Sequence, residues 1–170
     1  MKLNINLRKL SSKDPEIISH AFKLQSWNKP KSQYQNYLRM QENGVRDILV
    51  AEINSEFAGY LTISWKSNYG PFLESGIPEI VDLNVLQKFQ QQGIASCLLD
   101  EAESRIRNVS QLAGIGFGMY SDYGPAQILY IKRGYIPDGN GLVCDFTPLK
   151  YGDKITLDDR LAMYLTKQLS

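Results

Sequence analysis

Charge of one sign is the first thing this 170-residue chain lacks: nineteen lysines and arginines stand against eighteen aspartates and glutamates, a formal charge of +1. Without a basic or acidic excess it has no field to draw in nucleic acid or an anionic membrane, and neither is expected as a partner. Apolar runs all fall well short of the about 18 residues that span a bilayer. The opening MKLNINLRKLSS alternates polar and apolar residues and carries no apolar block of the signal-peptide kind. Cysteine is scarce. Cys97 and Cys144 are too few for a disulfide framework and form no C-x-x-C pair for zinc, and the single His20 cannot build a histidine metal site. No metal is expected, and the reducing cytoplasm is the default compartment. Two phosphate signatures are missing as well: G-x-x-x-x-G-K-[ST] does not occur, and Gly114, Gly116 and Gly118 do not fit G-x-G-x-x-G.

What is present reads as one continuous domain over residues 1–170, with no repeat, low-complexity tract or Gly/Ser/Pro-rich linker. LNINLRKL (3–10) alternates with period two and predicts a strand. Asp14-Pro15 opens a helix with Ile18, Ala21 and Phe22 on one face, and Lys29-Pro30 breaks it. Tyr34, Tyr37, Leu38 and Gln41 mark a second helix, ended by Asn43-Gly44. RDILVAEI (46–53) and FAGYLTISW (57–65) predict a hairpin, followed by a loop around Tyr69-Gly70-Pro71 and Gly76. IPEIVDLNVL (77–86) predicts a strand with Glu79, Val81, Leu83 and Val85 on one face and Ile80, Asp82, Asn84 and Leu86 on the other. A helix behind it carries the stripe Ile94, Leu98, Ala102, Ile106, Val109 and the pairs Glu101–Arg105 and Glu103–Arg107. GIGFGMY (114–120) is a strand and PAQILYIKR (125–133) a helix stopped by Gly134; Tyr135–Pro137 opens a strand, and LAMYLTKQL (161–169) closes the sheet. The class is α/β (α+β), a mixed central sheet of about seven strands flanked by about four helices, whose parallel step joins strand 77–86 to strand 114–120.

The stretch QKFQQQGIAS (87–96) lies where a strand gives way to a helix through Gly93. A helix entered in this way leaves its first backbone N–H groups without intrahelical partners, and its dipole adds about half a positive charge there. Such an end binds phosphate without lysine. The plain alternative is a solvated loop, since many helices begin with glycine and bind nothing.

Gln90-x-x-Gly93-x-Ala95, preceded by Leu83-Asn84-Val85, resembles the [Q/R]-x-x-G-x-[G/A] signature of the GCN5-related N-acetyltransferase (GNAT) superfamily. Ala126-x-x-Leu129-Tyr130-x-x-x-Gly134-Tyr135 is similar to the family's A-x-x-[L/F]-Y-x-x-x-G-F stretch. The two motifs stand in the family's order, and the likeness covers roughly residues 3–137, with the texture of a bacterial subgroup of unknown acceptor. The resemblance implies the GNAT fold and acetyl-CoA as cosubstrate. It places the pyrophosphate on backbone N–H groups of Gln91, Gln92, Gly93, Ile94, Ala95 and Ser96, and the pantetheine arm along Leu83, Asn84 and Val85. Tyr123 stands where the family often has Asn, so its contact with CoA is an open element of the pattern.

Acyl transfer from a thioester to an amine needs a neutral amine, a donor to the tetrahedral oxyanion and a proton for the leaving thiolate. By motif match Tyr130 supplies the last; by the helix stripe alone it is a core tyrosine. Backbone N–H groups near Leu83–Val85 would serve the oxyanion. Glu79, near where several family members place a catalytic glutamate, is the candidate base, with Asp82 second and an ion pair as the plain reading of either. Cys97 has no histidine near in sequence and reads as structural; Trp27, Trp65 and Tyr69 line an acceptor cleft or simply fill the core. The expected activity is transfer of an acetyl group directly to a primary amine of a small molecule, with a homodimer left open. A protein N-terminal or lysine acetyltransferase and a non-catalytic acyl-CoA-binding module are the alternatives.

Overall fold

The structure is a computed structural model and describes residues 4–170. In chain order the elements are β1 (Ile5–Lys9), α1 (Asp14–Leu24), α2 (Lys31–Glu42), β2 (Arg46–Ile53), β3 (Glu56–Ser64), α3 (Gly70–Glu74), β4 (Glu79–Val85), α4 (Ile94–Arg107), β5 (Leu112–Gly118), α5 (Gly124–Lys132), β6 (Ile136–Cys144), β7 (Thr147–Pro148) and β8 (Leu161–Gln168). Short 3-10 turns at Gln87–Phe89 and Ser121–Tyr123 precede α4 and α5. The strands form one mixed sheet in the order β1-β2-β3-β4-β5-β8-β6-β7. The chain divides into two compact units, one comprising the chain up to Trp65 with Val81–Arg105, the other Lys66–Ile80 with Ile106–Ser170.

In the first unit β1, β2 and β3 form an antiparallel meander. The β2–β3 hairpin turns on Asn54 and Ser55, both left-handed (φ 49° and 65°), as a two-residue turn matching the strand twist requires. α1 and α2 cover this sheet. Ile18 and Phe22 from α1 and Tyr34 from α2 are fully buried against Ile48, Val50, Tyr60 and Leu86. Asp14 at the head of α1 is buried and ties the helix to β1: Arg8 donates to both its carboxylate oxygens at 2.7 and 2.8 Å.

In the second unit β8 pairs antiparallel with β5 on one side and β6 on the other, so the last strand inserts into the sheet and does not close an edge. The edge is the two-residue β7, which the sequence reading does not include. The parallel step is as expected, with Glu79 opposite Gly114 and Ile80 opposite Ile115. The loop expected around Gly70-Pro71 holds a short helix, α3: Pro71 fits its first turn, and Phe72 is buried edge-on against Tyr69 and Tyr164. Gly134 caps α5 with φ 89°, and the Tyr135 N–H returns to the Tyr130 carbonyl at 3.1 Å, the bond that ends a helix in a left-handed cap.

Two expectations on the central elements need correction. Val109 lies beyond the end of α4 and is 68% exposed, so the buried stripe stops at Ile106. The regular alternation expected along 77–86 is interrupted, because Asp82 adopts φ 60° in mid-strand and Glu79 and Ile80 are both buried.

Candidate active site

The turn between β4 and α4 belongs wholly to the first unit. Gln91 and Gly93 are left-handed (φ 59° and 84°). The first α-helical bond runs from the Cys97 N–H to the Gly93 carbonyl at 2.9 Å, which makes Gly93 the cap residue. The N–H groups of Gly93, Ile94, Ala95 and Ser96 therefore precede the helical ladder. A Cβ added at Gly93 would meet nothing within 4 Å, so the protein needs glycine there for backbone conformation, and the space in front of the turn is open. The glutamine side chains turn inward on their own backbone: Gln90 Nε2 donates to the Val85 carbonyl at 3.3 Å and Gln92 Nε2 to the Lys88 carbonyl at 3.0 Å. They brace the turn and leave its main-chain N–H groups to face the open space.

Just ahead of that turn, Asp82 gathers partners from across the first unit. Its Oδ2 accepts the Tyr60 hydroxyl at 2.5 Å, the Tyr37 hydroxyl at 3.0 Å and Gln33 Nε2 at 3.0 Å. Its Oδ1 accepts Asn84 Nδ2 at 2.7 Å and Lys29 Nζ at 3.3 Å. Burial, followed by the Asp82 charge, drives the Tyr60 phenol far above its ordinary range, and the same causes push Tyr37 up to about 12. Both oxygens of the Asp82 carboxylate are thus engaged. Sequence reasoning missed these partners, which lie up to 53 positions away.

Glu79 lies in the second unit, buried at the start of β4, where the Ser67 hydroxyl donates to its Oε2. Ser67 Oγ in turn accepts the Tyr69 N–H at 3.0 Å, so the hydroxyl proton is committed to the carboxylate. Tyr69 is fully buried, stacked on Tyr164 with centroids 3.9 Å apart, and its hydroxyl donates to Asp138 at 2.8 Å. Tyr130 sits near the end of α5, 6% exposed, its ring packed near Phe117 and Tyr135. Tyr123 packs against Gly118 and donates to Asp159 Oδ1 at 3.1 Å; Tyr120 donates to the same oxygen. Burial and the Asp159 hydrogen bond both raise the Tyr123 phenol.

Cys97 is a half-buried free thiol that burial, Asp100 and Glu101 hold in the protonated form, the opposite of an activated nucleophile. Trp27 stacks on Phe22 at the rim of the first core, and Trp65 Nε1 donates to Asp47 at 3.2 Å.

A search of curated protein sequences finds no significant match to the chain. Solved structures match over nearly its whole length. An N-acetyltransferase from Staphylococcus aureus Mu50 is 15% identical with TM-score 0.71, covering 98% of this chain and 99% of that one. A GNAT family acetyltransferase from Elizabethkingia anophelis, solved with acetyl-CoA bound, is 20% identical with TM-score 0.62 over 98% and 99%. The ribosomal-protein-S18-alanine N-acetyltransferase of Escherichia coli is 11% identical with TM-score 0.68 over 98% and 95%. At these identities the likeness is one of fold. The sequence profile of the Acetyltransferase (GNAT) domain matches residues 44–137, more than half of the chain, and that span contains both motifs. The chain belongs to the GNAT acetyltransferase family.

Proposed function

We propose that the protein transfers the acetyl group of acetyl-CoA directly to a primary amine of a small molecule, as a single domain and without a metal. The observation that carries this reading is the turn before α4: two left-handed residues, a run of N–H groups ahead of the helical ladder, and glutamines occupied with their own backbone. It suits the pyrophosphate of CoA, recognised by backbone and helix dipole. The resemblance then assigns the pantetheine arm to the main chain of Leu83, Asn84 and Val85, with N–H groups of that segment donating to the oxyanion of the tetrahedral intermediate.

In the chemical step the neutral amine attacks the thioester carbonyl, the C–N bond forms, and collapse of the intermediate breaks the C–S bond. An amine of pKa near 10 is mostly protonated at neutral pH, so a base must take its proton. Glu79 fills that role through water, and the Ser67 donor fixes the orientation of its carboxylate. Tyr130 donates to the departing sulfur. Full proton transfer from a phenol to a thiolate is uphill by about 2 kcal/mol, so a strong hydrogen bond to the developing charge carries most of the effect. Tyr123 reaches CoA only after its phenol leaves Asp159 or through its ring, and it is the weakest member of the proposed set.

The test is a screen of polyamines, aminoglycosides, amino acids and N-terminal peptides with acetyl-CoA, following free thiol and the mass of the acetylated product. Thiol release that depends on a small primary amine supports the reading. Release only with peptides moves the acceptor to a protein N-terminus or lysine. Tight acetyl-CoA binding without release in any arm makes the chain a binding module.

A further inference from the structure

The Lys29 ammonium group sits in a pocket of side chains formed by Asp82, Tyr60 and Phe22. Its Nζ lies 3.3 Å from Asp82 Oδ1 and 3.4 Å from the Tyr60 hydroxyl, and stands 5.6 and 5.9 Å from the ring centroids of Phe22 and Tyr60. A carboxylate and two aromatic faces around one point are what a desolvated organic cation requires. Charge-assisted N–H···O bonds run about 2.7–2.9 Å, and both polar contacts of Lys29 are longer. The residue lies in the segment between α1 and α2, and its side chain is 20% exposed. Lys29 is also not the sole partner of Asp82: Tyr60, Tyr37, Gln33 and Asn84 donate to the carboxylate at 2.5–3.0 Å.

We propose that this pocket is an ammonium subsite for the acceptor, filled by Lys29 until the acceptor displaces it, and that the acceptors are amines carrying a second ammonium group. The proposal rests on the amine-transfer reading above. Asp82 immediately precedes Leu83, where the segment assigned to the acyl arm begins, so a cation held here lies beside that segment. The nitrogen that reacts must lose its proton, whereas a site beside a carboxylate favours the charged form. The pocket therefore suits the end of the acceptor that is not acetylated.

The experiment titrates 1,4-diaminobutane, 1-aminobutane and butan-1-ol into wild type and Lys29→Ala by calorimetry, and measures thiol release from acetyl-CoA with the two amines. If Lys29 fills the pocket about nine-tenths of the time, its removal tightens 1,4-diaminobutane by about tenfold. Butan-1-ol should bind neither protein, and kcat/KM should favour the diamine over the monoamine in both. Lys29→Thr reads the same quantity if the alanine variant does not fold. Equal diamine affinity with and without Lys29 overturns the subsite. So does equal turnover of the two amines, or turnover of other amines in the screen but not of the diamine, and in both cases amine transfer stands. If no amine at all releases thiol, the amine-transfer reading fails and the acceptor role of the pocket falls with it, while the titration alone shows whether it is a cation site.

Discussion

The Tyr60 hydroxyl donates to Asp82 at 2.5 Å, joining the middle of β3 to the left-handed residue of β4. Tyr60→Phe removes the shortest of the Asp82 donors and leaves a half-buried carboxylate less satisfied. We expect a loss of about 1–3 kcal/mol in urea unfolding at neutral pH. A loss within error would show that the remaining donors hold β4 alone.

The same cluster sets an alkaline limit. Burial and the Asp82 charge raise Tyr60 and Tyr37, and burial raises Tyr34, above the about 10 of an unfolded tyrosine. A group whose folded pKa is raised contributes stability that is complete below the unfolded pKa and disappears as pH climbs above it. Unfolding free energy should therefore fall from about pH 10 upward, less steeply in Tyr60→Phe, which has one fewer phenol to ionise. Equal slopes for the two proteins would remove Tyr60 from the account.

At the acid end the counterpart is Asp14. Burial alone would raise its carboxyl, but the Arg8 guanidinium and the Ser11 N–H and hydroxyl outweigh it and hold the group below the usual carboxylate range. With the folded pKa depressed, the stabilisation is present above about pH 4 and is lost as pH falls through the folded value. Arg8→Met should cost about 2 kcal/mol at pH 7, less than the about 3–5 of a fully buried pair because Arg8 is 31% exposed. It should also flatten or reverse the acid-side loss, since a buried Asp14 without its cation prefers to be protonated. An unchanged acid limb in urea unfolding would contradict this.

For the chemistry, Tyr130→Phe should leave acetyl-CoA affinity within a few fold and lower kcat by about 10²–10⁴-fold with a productive amine. The residue is buried in α5, so a purely structural role is the competing reading. That role would lower the melting temperature and spare turnover. Calorimetry, titration and steady-state kinetics on one sample separate the two.

Local signals made much of the fold legible. Asn54-Ser55 is the hairpin turn, Pro15 and Pro125 stand in first helical turns, and Gly134 is the left-handed cap that starts β6. The turn at 90–96 was legible for the same reason, because glycine conformation and helix start are properties of adjacent residues. Contacts made across the fold were not. Nothing in EIVDLNV announces that Asp82 will meet Lys29, Gln33, Tyr37 and Tyr60, or that Ser67 will hold Glu79. α3 escaped because Gly70-Pro71 reads equally as a loop, and the burial of Phe72 against Tyr69 and Tyr164 decides it. The sheet position of β8 depends on pairing with β5 and β6, which its own alternation cannot reveal.

The central claim is that the main chain before α4 holds acetyl-CoA, and it is tested most directly by melting wild type, Gln92→Ala and Gly93→Asp with and without the cosubstrate. At a hundredfold excess over Kd, binding to the native state alone stabilises by roughly 2.7 kcal/mol. We predict that full shift in wild type and most of it in Gln92→Ala, whose side chain only braces the Lys88 carbonyl. Gly93→Asp should show almost none, because it sets a carboxylate and a strained φ where the pyrophosphate would bind. No shift with acetyl-CoA in wild type, or an equal shift in wild type and Gly93→Asp, would contradict the account.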